Sequence, residues 1–203
     1  MARGAAEGAA VAAGRAEGGE VNTNGVVFWP VAALVLLADL VTKGLAEAAL
    51  GPAGFAHRVA GDAVRLTLVY NPGAAFGLSL GPHSRWIFLA LTAVILRALW
   101  TLYRRTRDRD NARVAALALL VGGALGNAVD RVRSPLGVVD FLDVGVGPYR
   151  WPTFNVADVA VTAGAVLLFR VLWREEQAAP AAAPSASAAD AGPAGAASAV
   201  RAA

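Results

Sequence analysis

An all-α membrane protein, with four transmembrane helices and a small β element on the outer face, is the architecture that this chain of 203 residues predicts. Three observations lead there. Apolar residues make up 57% of the chain and charged residues only 16%, with a mean hydropathy of +0.52, whereas a soluble domain carries roughly 25% charge. Four stretches approach the roughly 20 mostly apolar residues that cross a bilayer. Between the first two lies a short β-branched run. This composition disfavours a soluble globule, a disordered chain and a protein that coats nucleic acid. The net charge of +3 comes from arginines grouped beside apolar segments rather than spread over a face.

Taken in order, residues 1–24 are rich in Ala, Gly, Glu and Arg and predict a flexible cytoplasmic tail. The first span runs from Val26 to about Leu45. After it, Val64-Arg65-Leu66-Thr67-Leu68-Val69-Tyr70 is β-branched and roughly alternating, which predicts a strand. The second span is Trp86 to Tyr103. A short third span, Val114 to about Val129, carries Gly122, Gly123 and Gly126, small enough for close helix contact. The fourth is Phe154 to Trp173. Trp29, Trp86, Tyr103 and Trp173 fall near span ends, as an interfacial aromatic belt requires. Residues 176–203 form an Ala/Pro-rich tail expected to be disordered and cytoplasmic, leaving residues 25–175 as the membrane domain. The spans lack the polar stripe of a soluble four-helix bundle.

Orientation follows from arginine density. Arg104, Arg105, Arg107, Arg109 and Arg113 crowd the connection between spans two and three, which the positive-inside rule places in the cytoplasm. Both termini are then cytoplasmic, and residues 46–85 and 130–153 form outer loops. Those loops also carry Arg58, Arg65, Arg133 and Arg150, so the bias is one of density.

Ionisable residues at bilayer depth are costly and face a partner, a cavity or a substrate. Here they gather toward the outer side: Asp39 and Lys43 in span one, Asn127, Asp130 and Arg131 at the end of span three, Asn155 and Asp158 at the start of span four, and Asp140 in the loop between. Arg97 and Arg170 lie near cytoplasmic ends and can snorkel. Asp39 and Lys43, spaced i,i+4, suit a structural ion pair. Asp130 is followed by Arg131 and Arg133, which suits a neutralised helix end. Asn127 and Asn155 suit caps or interhelical hydrogen bonds as well as a site. Asp140 and Asp158 differ, because both are flanked by apolar residues with no adjacent cation. Burial without a cation raises a carboxyl pKa, and a second carboxyl raises it further. Such a pair can perform general acid–base hydrolysis. On the residues alone, catalysis and structure remain equally open. A small transporter or channel subunit with intramembrane carboxylates is the alternative class, but it calls for ionisable groups at several depths.

Five motifs settle the direction. Asp39-Leu40-Val41-Thr42-Lys43, Asn71-Pro72-Gly73-Ala74-Ala75-Phe76-Gly77, Gly126-Asn127-Ala128-Val129-Asp130-Arg131, Val138-Val139-Asp140-Phe141 and Phe154-Asn155-Val156-Ala157-Asp158 together resemble the bacterial lipoprotein signal peptidases (signal peptidase II), in the family's order. The resemblance implies a membrane-embedded aspartyl endopeptidase of the bacterial inner membrane. Such an enzyme removes the signal peptide from prolipoproteins just before a diacylglyceryl-modified cysteine. It implies Asp140 and Asp158 as the catalytic pair. Asn71, Gly73, Ala75, Phe76, Asn127, Asp130, Arg131 and Asn155 match further residues of the site, with Asp39 and Lys43 as a supporting pair. A β-cradle on the outer face is implied as well. Leu40 stands where a polar residue is common, and Pro72 where Thr is common. The expected partners are prolipoproteins and membrane lipid, without nucleic acid. No metal or cofactor is expected either, since the chain has no cysteine and its two histidines, His57 and His83, lie apart. Gly73–Gly77 is read either as a clamp over substrate, with Phe76 as its apolar contact, or as a plain interfacial turn.

Overall fold

The computed structural model describes residues 23–73 and 80–178. Four long helices dominate it: α1, Gly25–Ala49; α2, Ser84–Arg104; α3, Asn111–Arg133; and α4, Val156–Ala178. Each is long and apolar enough to cross a bilayer. The terminal tails and the segment 74–79, to which Ala75 and Phe76 belong, lie outside the described residues.

Helix α3 is longer than the short apolar span expected at Val114–Val129. It opens on Asp110, whose carboxylate accepts the Arg113 N–H, and it closes at Arg133. The reason is local. Asn127, Asp130 and Arg131 interrupt the hydropathy but not the helix, because their polar groups find partners on neighbouring elements.

Helix α3 is also the packing centre, touching α1, α2 and α4. Its glycines allow this. A Cβ on Gly123 would come 2.5 Å from the Ala157 carbonyl of α4, and one on Gly122 would come 2.8 Å from the Ala32 carbonyl of α1. Apolar surface gives little drive for helix association in lipid, so backbone approach at small residues carries the contact. At the arginine-rich end, Phe28 of α1 lies against Tyr103 of α2 with ring centroids 4.1 Å apart, and Trp100 stacks 5.2 Å from Tyr103. Buried Asn24 fastens the start of α1 to the α2–α3 connection, donating to the Arg107 carbonyl at 3.0 Å and accepting from the Arg109 N–H at 3.1 Å.

At the other end sits an antiparallel sheet of β1 (Ala56–Ala60), β2 (Val64–Asn71), β3 (Val138–Val146) and β4 (Tyr149–Arg150), in that spatial order. The Val64–Tyr70 run is a strand, extended by Asn71. The stretch around Asp140, expected as loop, is instead the nine-residue strand β3. Val138 to Asp140 are buried without alternation, so the period-2 signal of a half-exposed strand is missing. Val139 and Phe141 pack with Leu68 onto Ala46 and Leu50 at the end of α1, forming a second small core. Gly137, at φ +104, lets the chain pass closely beside the backbone of Asn71 where any side chain would collide.

Candidate active site

Five elements bring the polar residues together at the sheet-bearing end. Strand β3 presents Asp140, and α4 begins with Asn155 and Asp158 in a reciprocal cap. The Asn155 side-chain oxygen accepts the Asp158 N–H at 3.0 Å, and the Asp158 carboxylate accepts the Asn155 N–H at 3.2 Å. That is the capping-box exchange, here built from Asn and Asp. It fixes the position of Asp158 at the helix start.

Asn155 also reaches the other carboxylate. Its amide nitrogen lies 2.7 Å from Asp140 Oδ1, 3.1 Å from Asn127 Oδ1 and 3.2 Å from the Val139 carbonyl. The second oxygen of Asp140 accepts from Asn71 at 3.2 Å. The register explains this reach: Asn71 pairs with Val138, two residues from Asp140 on the same strand face, so the two side chains are diagonal neighbours. Asn127 completes the ring by donating to Asp158 at 2.8 Å. Its orientation is fixed because its oxygen accepts from Lys43 at 2.9 Å, leaving the NH2 for Asp158.

Lys43 is the hub beneath the two carboxylates. Fully buried, it spends its three protons on Asp39 (2.7 Å), Asp130 (2.8 Å) and Asn127 (2.9 Å). Each carboxylate then holds a second element. Asp39 accepts the Ala157 N–H of α4 at 2.9 Å, and Asp130 accepts the Val139 N–H of β3 at 3.2 Å. Lys43 thereby positions the neighbours of both Asp158 and Asp140. Asp130 has Arg133 as its second cation, at 3.2 Å. Arg131 turns elsewhere. Its guanidinium donates to the Gly73 carbonyl at 2.9 Å and the Asn127 carbonyl at 3.1 Å, and it lies over the Phe88 ring of α2. Gly73 in turn donates to Asn71 Oδ1 at 3.0 Å, an Asx turn at the end of β2.

Asp140 and Asp158 line one cavity of about 540 Å³ with Asn71, Asn127 and Arg131. Asp140 is only 3% exposed. Burial pushes its carboxyl up to about 7, the negative charge of Asp158 adds to the rise, and the hydrogen bonds from Asn71 and Asn155 hold it back. Near neutrality Asp140 is therefore a carboxyl poised between its two forms, facing a second carboxyl in the same cavity. A water molecule between them could be deprotonated on one side while a proton is supplied on the other. Ala75 and Phe76 lie outside the described residues.

The wall also includes residues that motif reading passed over, among them Tyr70, Trp151, Thr153, Val161 and Thr162. One signal for them was available. Thr162 follows Asp158 by four residues and so shares its helix face. The others come from strand and loop positions whose facing only the tertiary structure sets.

The family described as signal peptidase (SPase) II matches residues 31–174, which include every one of these polar positions. The chain belongs to the signal peptidase II family. Among its relatives are proteins named lipoprotein signal peptidase. That of Nitratidesulfovibrio vulgaris (strain DP4) is 40% identical over 147 residues, covering 71% of this chain and 88% of the relative. That of Pelotomaculum thermopropionicum (strain DSM 13744 / JCM 10971 / SI) is 41% identical over 138 residues, covering 68% and 86%. A solved bacterial membrane enzyme, determined by the in meso method at 2.3 Å resolution, superposes with a TM-score of 0.67 at 31% identity, covering 78% of this chain and 92% of that one. This signal peptidase II chain is thus a membrane protein of four apolar helices with its polar residues gathered under a small sheet.

Proposed function

We propose that this member of the signal peptidase II family is an aspartyl endopeptidase that removes the signal peptide from prolipoproteins, cutting just before a diacylglyceryl-modified cysteine. One observation carries the reading: Asp140, a buried carboxyl pushed up to about 7, shares its cavity with Asp158. In the proposed step Asp158 takes a proton from water as the water oxygen attacks the scissile carbonyl, and neutral Asp140 gives its proton to the carbonyl oxygen. As the tetrahedral species collapses, Asp158 returns its proton to the leaving amine and Asp140 recovers one from the diol. The C–N bond breaks, both carboxyls regain their starting forms, and the proton balance closes without a metal or cofactor. Asn71, Asn127 and Asn155 hold the two carboxyls in place, while Lys43, Asp39, Asp130 and Arg131 hold the elements that carry them.

The sheet-bearing end faces outward in this reading, with both termini in the cytoplasm and membrane lipid around the helices. A substrate carrying acyl chains would lose about 0.8 kcal/mol for each CH₂ drawn into water. A cavity at the end of a membrane bundle lets the chains stay in hydrocarbon while water reaches the aspartates. The test uses purified protein with a diacylglyceryl-modified prolipoprotein and its unmodified twin. Cleavage of the modified substrate alone, at the bond before the cysteine, is the expected result. Equal cleavage of both, or of neither, would overturn the substrate assignment.

A further inference from the structure

Thr162 lies on α4 four residues beyond Asp158, so it shares that face and sits about 6 Å further along the helix axis, away from the sheet. It lines the same cavity as the two aspartates. Its hydroxyl behaves unlike those of the other threonines in or ending the helices. Thr42, Thr92, Thr101 and Thr106 each donate to the carbonyl four residues earlier, at 2.7, 2.8, 2.9 and 2.9 Å. That is the usual resort of a hydroxyl with no other partner in hydrocarbon. Thr162 is an exposed position within the apolar span, and among the described residues no side chain or carbonyl pairs with its hydroxyl, which is left open at the cavity wall.

We propose that Thr162 binds substrate, its hydroxyl donating to a backbone carbonyl on the signal-peptide side of the cleaved bond. The assignment rests on the peptidase reading above. A peptide must be extended where it enters the reach of the aspartates, and an extended segment in an apolar setting has carbonyls that no helix satisfies. An extended chain advances roughly 3.3 Å per residue, so about 6 Å corresponds to the second residue from the scissile bond. The signal peptide occupies the bilayer and Thr162 is deeper than Asp158, so that residue precedes the cut. Val161 beside it supplies an apolar wall.

The test compares wild type, Thr162→Val and Thr162→Ser on a diacylglyceryl-modified prolipoprotein and on its ether-linked dialkylglyceryl counterpart, which lacks ester carbonyls. Thr162→Val should raise KM about fivefold on both substrates with kcat within about twofold, as loss of one hydrogen bond made equally in ground and transition states would. Thr162→Ser should stay near wild type. A valine variant equal to wild type, or a serine variant as impaired as valine, overturns the proposal. So does a penalty confined to the ester-linked substrate, or a wild type that turns over only that substrate, since either assigns the carbonyl to the lipid. A wild type that cleaves neither substrate brings down the peptidase reading itself, and this contact with it.

Discussion

At the scale of single residues, the site depends on two carboxyls in unequal surroundings. In the proposed mechanism Asp140 must carry a proton to act as the acid, and its carboxyl is pushed up to about 7. The rate of prolipoprotein cleavage should therefore fall as pH rises through about 7; a pH–rate profile flat to pH 9 would contradict that assignment. The same shift has a sign for stability. The folded carboxyl binds its proton more tightly than an unfolded one near 3.8, so stability is lost as pH rises from about 4 to about 7 and is flat above. Asp140→Asn should accordingly melt higher than wild type at pH 8, with a gain in stability of at most about 4 kcal/mol. Lys43→Met should do the opposite. It leaves Asp39 and Asp130 buried without their common cation and should cost about 3–5 kcal/mol, measured by thermal melting in detergent. The identity of the polar residues was legible in the sequence, because charge in an apolar context is rare enough to be a signal. Their pairing was less so. Arg131 follows Asp130 directly, yet Arg133 makes the ion pair, because residues three apart share a helix face and adjacent ones do not. Of the three contacts of Lys43, the pair with Asp39 was legible from its i,i+4 spacing, whereas those with Asn127 and Asp130 span more than 80 positions and left no local trace.

At the scale of elements, position is set by close backbone approach. Gly123 is where α3 meets the first turn of α4, the turn that holds Asp158, and Gly126 lies against the Asp39 carboxylate. Gly123→Ala should displace α4 and lower cleavage at least about tenfold, with a fall in melting temperature, since nothing flexible faces the new methyl group. Normal cleavage by this variant would mean that the α3–α4 contact does not position Asp158. Besides its buried core, the sheet meets the helices in an exposed chain in which the Tyr70 hydroxyl donates to Glu47 at 3.3 Å and Glu47 pairs with Arg133 at 3.2 Å. The four helices and β2 were legible from hydropathy and alternation. Strand β3 was not, because Asp140 and Asp143 break its apolar run and its first residues are buried on both faces. Asp130 was read as a helix end, but the span expected to stop at about Val129 fell short of the end of α3 at Arg133 for a similar reason. A hydropathy window ends a span at Asn127 and Asp130, whereas the helix continues because their partners lie on α1, α4 and β3.

At the scale of the whole molecule, the two ends differ: an arginine-rich connection with its aromatic lock lies at one, the sheet and the carboxyls at the other, with apolar helices between. The orientation can be tested in cells, since the chain has no cysteine of its own. Ala60→Cys on β1 and Ala112→Cys at the start of α3 are both exposed positions. An impermeant thiol reagent added outside should label the first and spare the second, and the reverse pattern would invert the topology. The most direct measurement of the central claim is the cleavage rate of a diacylglyceryl-modified prolipoprotein by purified Asp140→Asn and Asp158→Asn, each first shown to be folded by its thermal melt. Both should cleave about 10²–10⁴-fold more slowly than wild type. A folded variant of either kind that keeps more than about a tenth of the wild-type rate would show that the two aspartates are not the catalytic pair.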